Sequence, residues 1–535
     1  MLWTKEDIRN FFILPNSGLR LYTARTVAGK ADIIRTPYWD QTEDWQSIVD
    51  EWLDQLRSSK VMSEYPGLLS YEEEMRGKVG PMSVQKPLTE RIADVEAYFV
   101  HPESTPLDPR ALQAVVDEWK GLKGLSVRSP EATLANMTLN TNSGNPWFTK
   151  RKRITDTILD TKVYTEDGQR WWLDTPQGKY ELAALLGWRG QNGGPTPDDV
   201  KQRVIWMMSA ALNLQELRFY QPLISGIQKL NLIPAYVSMR NVDECVTRLF
   251  DGKERDQLVI CTDFSKYDQH FCRDMEDAAL NIFDSLAAND ATWSWWKEQI
   301  YPAKFRIPIV CSEKLVGRGS RESMGSGSGG TNADESTSHR ALQWEAAITA
   351  NALLNEDSQC LGDDGMVSYP GITLQHVIDT YTSHGQEMNP DKQFVSTTEC
   401  VYLRRWHSTD YRDEHGVMVG VYATCRALGK LLFQERFYDP EIWGPKAITL
   451  RAWSILENCA SHPLFYDFVD FVLKGDRYHL GLDIPGFLDG NQAQEELSRI
   501  RTKDADFLGY VKETQGDTDL KHWRIYQYLS SMQHK

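Results

Sequence analysis

The chain lacks any run of apolar residues long enough to cross a membrane. Stretches such as Leu258–Cys261 fall far short of the roughly 18 residues a spanning helix needs. It has no C-x-x-C pair and no histidine at zinc-finger spacing, and its eight cysteines (Cys245, Cys261, Cys272, Cys311, Cys360, Cys400, Cys425, Cys459) are scattered. Reduced thiols in a cytosol-like compartment are therefore expected, not a disulfide scaffold. No Walker A motif is present, because no Gly-Lys pair is followed by Ser or Thr, so any triphosphate must be held another way. No repeat at a fixed period shows, and the 11 histidines form no ligand pattern. Positive charge is also short: 59 Lys and Arg against 75 Asp and Glu leave a net charge of −16. That balance argues against a protein that coats nucleic acid, since phosphate contacts need Lys and Arg. It does not exclude a basic channel inside an acidic shell, because net charge says nothing about distribution. Charges in Met1–Ile8 stand where a signal peptide needs its apolar stretch, so a soluble chain without a leader is expected.

What is present is an ordinary globular composition, 41% hydrophobic and 25% charged, over 535 residues. Such a chain buries several cores without a metal or disulfide staple. Apolar spacing predicts amphipathic helices over 40–60 and 107–122, and helix again from Lys201 to about Leu232. The region 140–200, with Gly, Pro and Thr among basic clusters, reads as looped. Gln257–Asp263 reads as a short buried strand, followed by a helix from about Asp274 to Ala288. The Gly/Ser run Gly325–Gly330 leads into a helix through Ala346, with Thr331 as N-cap and Asp334 and Glu335 favoured by the dipole in the first turn. Cys360-Leu361 and Met366-Val367 flank Gly-Asp-Asp-Gly, which reads as a tight hairpin. The last hundred residues read as mostly helical (Ala447–Leu456, Leu464–Leu473, Gln492–Arg499). Strands and long helices without βαβ regularity predict an α+β fold.

Asp263 ends the buried strand and Asp363-Asp364 occupy the hairpin tip, 100 residues further along. If strand and hairpin lie side by side, three carboxylates converge, and like charges at close range demand a cation. Mg²⁺ is the natural one, with Mn²⁺ as an alternative, and a pair of ions would serve nucleotidyl transfer. Gly-Asp-Asp-Gly alone is also an ordinary turn. The ordered set is more specific. Asp263-Phe-Ser-Lys-Tyr-Asp268, then Ser326-Gly-Ser-Gly-Gly-Thr331, then Gly362-Asp-Asp364, resembles palm motifs A, B and C of viral RNA-dependent RNA polymerases. Thr141–Pro146 followed by Lys150-Arg-Lys-Arg153 resembles motif G and its basic sequel, and Lys201-Gln-Arg203 resembles motif F. Asn389-Pro-Asp-Lys392 resembles motif D, and Tyr402-Leu-Arg-Arg405 the motif E turn. These motifs span 141–405, about half the chain, and the likeness is greatest to polymerases of small double-stranded RNA viruses, picobirnaviruses above all.

The resemblance implies a right hand with an antiparallel-sheet palm, a mostly helical thumb and fingertips that touch the thumb. On that plan 1–60 is an N-terminal segment bridging fingers and thumb, 61–211 the fingers and 212–284 the first part of the palm. The fingers return over 285–325, the palm over 326–410, and 411–535 is thumb. The resemblance further implies metal ligation by Asp263, Asp363 and Asp364, with Lys392 as general acid toward pyrophosphate. Lys201, Arg203, Asp268, Ser326, Thr331 and Asn332 would hold the NTP. Ser143, Gly144, Lys150, Arg151, Lys152, Arg153, Gly327, Arg404 and Arg405 would hold RNA. The expected partners are template and nascent RNA, NTPs and viral capsid protein, with no membrane, in the virion interior and host cytoplasm. Where many such enzymes carry an asparagine four residues after the motif B threonine, this chain has Glu335. Asn332 and Glu335 share a helix face, so either can approach Asp268; Asn332 is favoured as the amide partner. A reverse transcriptase would carry an aromatic residue where Asp268 stands, and a non-catalytic RNA-packaging protein needs no aspartate triad. Trp293, Trp295 and Trp296 read as core and not as base-stacking platforms.

Overall fold

The computed structural model describes residues 2–4, 11, 16–40, 42–319, 323–489, 491–502 and 519–533. Met1 and residues 5–10 of the expected leaderless start lie outside the described residues, as do 320–322 of the returning fingers and 503–518 of the thumb.

An antiparallel sheet forms the centre, in the order Gln359–Leu361, Asp364–Val367, Val259–Thr262, Phe394–Ser396. Val259–Thr262 is buried throughout, as the apolar run predicts for a strand covered on both faces. Helices Arg273–Leu286 and Thr331–Thr349 pack on each other behind the sheet. Their buried faces join a core that runs from Leu88 to Met388 and includes Trp293 and Trp296, with Trp295 packed against it. All eight cysteines are free and buried.

The expected helices over 40–60 and 107–122 are Trp45–Ser58 and Pro109–Glu118, capped by the side chains of Asp44 and Asp108. The three helices expected in the last hundred residues are Pro445–Glu457, Phe465–Gly475 and Gln492–Thr502, and a further helix, Arg524–Gln533, follows. Two expectations fail. The region 140–200 carries strands Lys162–Thr165, Trp171–Thr175, Gly178–Glu181 and Ala184–Gln191, whose turn residues mask the alternation in so short a space. Lys201–Met207 is a strand and not the start of a helix, and the helix begins only at Ala210. Its side chains alternate outward and inward up to Trp206, a period of two that a short window confuses with helical spacing.

A second core joins residues 38–82 to 406–529. Side chains of 62–82, grouped with the fingers in the sequence reading, belong to it. Their helix, Pro66–Gly77, lies against Thr424–Leu432. The join is polar as well as apolar. Buried Glu72 accepts hydrogen bonds from the Thr424 amide (2.6 Å) and hydroxyl (2.8 Å) and the Cys425 amide (2.9 Å), with His462 Nε2 at 3.2 Å. Glu72 thus caps a helix N-terminus from a distance, where a carboxylate is favoured.

Despite its burial, Glu72 is held below its ordinary pKa, by His462 and the two backbone amides. An acid with a depressed folded pKa stabilises fully above its unfolded value and loses that contribution as pH falls through the folded one. Glu72→Ala should therefore cost about 3 kcal/mol at neutral pH and flatten the acid limb of the melting profile. Thermal melts between pH 3 and 7 check this; equal melting of variant and unsubstituted chain at pH 7 would refute it.

Candidate active site

The central sheet sets the carboxylates. Gly365 pairs with Thr262 in antiparallel register, so one residue further along Asp364 faces Asp263 across the two strands. Asp363 sits at the tip of the turn between Leu361 and Asp364, where Gly362 adopts a positive φ of 58°. Burial and the neighbouring carboxylates Asp268 and Asp263 push Asp363 up, while Arg203 pulls it down. Asp364 is pushed up to about 7, by burial first and then by Asp363. Burial is the first cause of both shifts, and the neighbouring carboxylates add to it. The donors are all carboxylate oxygens, which suits a hard divalent cation. Among the described residues, no three Asp, Glu, His or Cys side chains close into a ligand set.

Several residues that sequence reasoning missed hold these aspartates. The Gln393 side chain accepts from the Asp263 amide (2.8 Å) and donates to its carbonyl (2.9 Å), clamping both ends of one residue. Ser336 Oγ accepts from the Gly362 amide (2.8 Å), and His339 Nδ1 donates to the Gly362 carbonyl (2.9 Å). Since a carbonyl only accepts, His339 carries its proton on Nδ1. Burial brings its pKa down to about 4, so it stays neutral. The helix Thr331–Thr349 therefore holds the turn from beneath. Only Gly365 fits beside it, since a Cβ there would lie 2.4 Å from His339 Cε1.

On the opposite side stands strand Lys201–Met207, with Lys201 and Arg203 projecting on its exposed face. Arg203 acts on both Asp363 and Asp364. Lys201 is pulled below its ordinary pKa by burial and by the cations Lys78, Arg203 and Lys392, while Asp263 opposes them. Lys392 closes the 3₁₀ turn Pro390–Lys392. Cations and carboxylates thus act on one another within one site.

The glycine-rich loop lies along the same strand. Trp206 donates its amide to the Ser326 carbonyl (2.7 Å), and Met324 donates to the Asp268 carbonyl (2.9 Å). Gly327 has a φ of 113°, and a Cβ there would lie 2.3 Å from the Trp206 carbonyl oxygen. Part of the loop's anion-binding capacity is already used. Glu216 accepts from Ser328 Oγ (2.7 Å) and the Gly329 amide (2.8 Å). Gly330, not Thr331, is the N-cap residue, and the Thr331 hydroxyl turns back toward the carbonyls of Gly325 and Ser328. Asp334 serves no dipole at the surface. It is fully buried, ion-paired to buried Lys304 at 2.5 Å, and accepts from Tyr220 Oη at 2.7 Å.

Asn332 was the expected partner of Asp268. Instead its Oδ1 accepts a hydrogen bond from Tyr236 Oη (2.7 Å), and it is buried Glu335 that Asp268 acts on. Burial first, and then the charge of Asp268, pushes Glu335 well above the ordinary carboxylic range. Both side chains border the catalytic turn, since a Cβ on Gly362 would lie 3.1 Å from Asn332 Nδ2 and 3.5 Å from Glu335 Oε2, but Glu335 is the buried one of the two.

Other expected RNA contacts prove to be internal. Ser143 is fully buried, its Oγ accepting from the Thr149 amide (3.0 Å). Gly144 packs against the Met208 carbonyl, which a Cβ would meet at 2.3 Å. Arg151, brought down to about 10 by burial, ties the loop together through the Asn142 carbonyl and Asn213 Oδ1 (2.6 Å). Arg405 is buried against Asn458 and the Gly420 carbonyl. A basic residue beside a tight turn is drawn to unpaired carbonyls, which sequence alone does not reveal. Lys150, Lys152 and Arg153 lie at the surface. Arg404 lies in a positive-φ turn (62°) and acts on Asp364.

The family described as viral RNA-dependent RNA polymerase matches residues 198–419. A curated relative, a potential RNA-dependent RNA polymerase of a human picobirnavirus, is 45% identical over 99% of this chain and 98% of its own. This chain belongs to the viral RNA-dependent RNA polymerases. The crystal structure of a human picobirnavirus polymerase superposes with a TM-score of 0.91 at 45% identity, covering 98% of this chain and 99% of the other. An insertion-loop deletion mutant of such a polymerase gives 0.88, covering 95% and 98%. The polymerase is thus a right-hand nucleotidyltransferase that copies RNA, as the ordered motifs predict, and its family binds RNA and NTPs and uses divalent metal ions. The Gly190 amide donates to Glu435 Oε1 (2.9 Å), joining strand Ala184–Gln191 of the polymerase to the segment just after helix Thr424–Leu432.

Proposed function

We propose that the polymerase transcribes and replicates a double-stranded RNA viral genome by two-metal nucleotidyl transfer, with Mg²⁺ as the ion and Mn²⁺ as an alternative. One observation carries the reading: Asp263 and the Gly362–Asp364 turn end adjacent paired strands, with Arg203 acting on the turn from the facing strand. Asp263 and Asp363 are the ligands of choice, and Asp364 contributes through its charge. Bound there, a pair of divalent ions would activate the attacking 3′-oxygen and stabilise the departing pyrophosphate. The chain's own part is to hold the aspartates through Gln393, Ser336 and His339, and to grip the triphosphate through Lys201 and Arg203. Lys392 stands ready to give a proton to the leaving group. Ser326, Gly327 and Thr331 border the nascent base pair, while Lys150, Lys152, Arg153 and Arg404 meet RNA phosphates.

The same reading places the enzyme with capsid protein in the virion interior and in host cytoplasm, away from membranes. No described helix is long and apolar enough to cross a membrane. Residues 45–82 belong, on this reading, with the thumb they pack against. Incorporation of labelled NTP on single- and double-stranded RNA templates, without primer and with Mg²⁺ or Mn²⁺, is the direct test. RNA binding without incorporation under any of these conditions would overturn the reading.

Ribose selection is assigned to the Asp268–Glu335 pair, with Asp268 accepting from the 2′-hydroxyl and buried Glu335 orienting it. Asp268→Ala and Glu335→Ala should each lower the preference for NTP over dNTP about ten- to hundredfold, the loss of one buried hydrogen bond. Glu335→Gln keeps a donor and should retain most of the preference, and Asn332→Ala should retain all of it. Ratios of incorporation efficiency decide; loss of preference in Asn332→Ala alone would return the role to the amide.

A further inference from the structure

We infer that Lys78, carried by the N-terminal helix Pro66–Gly77, is a further triphosphate-binding residue of the polymerase. The inference rests on the nucleotide-binding reading above and extends it to a segment outside all the recognised motifs.

Helix Pro66–Gly77 is fixed at several points. Near its start, Gly67 lies so close to Glu399 that a Cβ would meet its carboxylate at 2.3 Å. Midway, Tyr71 Oη donates to the Arg404 carbonyl (2.9 Å), and Glu72 caps Thr424–Leu432. Lys78 is the residue at its C-cap. Immediately beyond, the chain docks on the loop joining Ala184–Gln191 to Lys201–Met207. A Cβ on Gly80 would lie 1.9 Å from the Gly194 carbonyl oxygen, and one on Gly190 would lie 1.9 Å from that of Met82. The Lys86 amide donates to Gln202 Oε1 (3.0 Å). Lys201, the first residue of the strand, lies against that loop, its Cγ 3.0 Å from where a Cβ of Gly193 would stand. Two glycine-tight contacts and the hydrogen bond to Gln202 therefore hold the Lys78 segment in register beside Lys201.

The charges agree with this placement. Of the charged groups acting on Lys201, Lys78 weighs most, ahead of Asp263, Arg203 and Lys392. Four cations around one strand repel one another in the free protein, and a polyanion is the ligand that relieves them. The Lys78 ion pair with Glu74 is no obstacle. Both side chains are substantially exposed, at 40% and 60%, and such a pair contributes little. A triphosphate seated between Lys201 and Asp263 can draw the ammonium away from Glu74.

The test is steady-state incorporation of GTP on a primed RNA template, with competitive inhibition by inorganic tripolyphosphate measured in parallel. Lys78→Ala should raise KM for GTP about five- to twentyfold, the loss of one charge-assisted contact, with kcat within about twofold. The inhibition constant for tripolyphosphate, which has neither base nor ribose, should rise by the same factor. Lys78→Arg should restore most of both, and Lys78→Glu should exceed the alanine effect. Unchanged KM and unchanged tripolyphosphate inhibition in Lys78→Ala would overturn the assignment. So would a fall confined to kcat together with a lower melting temperature, which marks a purely structural role. An unsubstituted chain that incorporates no GTP would instead defeat the polymerase reading, so the two failures are distinct.

Discussion

Asp263→Ala and Asp363→Ala are each expected to reduce nucleotide addition by at least about 10³-fold, because a missing ligand removes charge stabilisation that appears only as the new bond forms. The fold should not suffer. Asp363 stands at a turn tip among other carboxylates, and burial and repulsion already push it up. Deleting one member of a repelling cluster relieves the rest, so Asp363→Ala should melt no lower than the unsubstituted chain. Conservative replacement sharpens the test. Asp363→Asn keeps size and hydrogen bonding but loses the charge, and it should be as inactive as alanine. Primer extension with Mg²⁺, alongside thermal melts, is the measurement. A folded Asp363→Ala chain that extends RNA at near the unsubstituted rate would remove this turn from the catalytic centre.

Arg203→Ala should lower kcat/KM for NTP about 10²- to 10³-fold, the usual cost of deleting one preorganised donor to developing negative charge. The structure gives Arg203 two tasks. Without substrate, its charge holds down Asp363 and Asp364. With substrate, the planar guanidinium offers a fork to the phosphates. A lysine keeps the charge but not the fork, so Arg203→Lys should recover only part of the loss. Steady-state kinetics on both variants decide, and equal activity of Arg203→Lys and the unsubstituted chain would mean that no bidentate contact forms. Arg203 projects from a strand, fixed in register by pairing with Arg189. That rigidity is why its loss should cost more than the loss of Lys78, whose half-exposed side chain extends from the C-cap of helix Pro66–Gly77.

The parts of this site that were legible in the sequence are local ones. A buried strand ending in Asp263 and a tight turn at Gly362–Asp364 follow from short apolar runs bounded by turn residues, and both occur as read. Their union was legible only through motif order, since 100 residues separate them. What stayed hidden depends on neighbours distant in sequence. Gln393 clamps Asp263 across 130 residues, and no pattern near Gln393 announces it. Arg151 and Arg405 look like RNA contacts by charge, yet unpaired carbonyls of their own folds claim them. Glu335 over Asn332 turned on which helix face is buried, which spacing of three residues does not resolve. Lys201–Met207 deceived because seven residues suffice for a strand but not for separating its period from that of a helix.

The cap that Glu72 places on Thr424 joins residues 352 positions apart, and this fixes a timetable for the newborn chain. At about 5–20 residues per second, a ribosome needs roughly 20–70 s to make the stretch between them. Through that interval Trp52, Leu53, Leu56 and Leu68, all buried in the finished enzyme, lack the later side chains of 406–529 that complete their core. The first helices made are among the last to be housed. A messenger cut short before codon 424 would leave that apolar face permanently bare, so such fragments should be captured by chaperones or degraded, whereas the palm residues between them already have their own core.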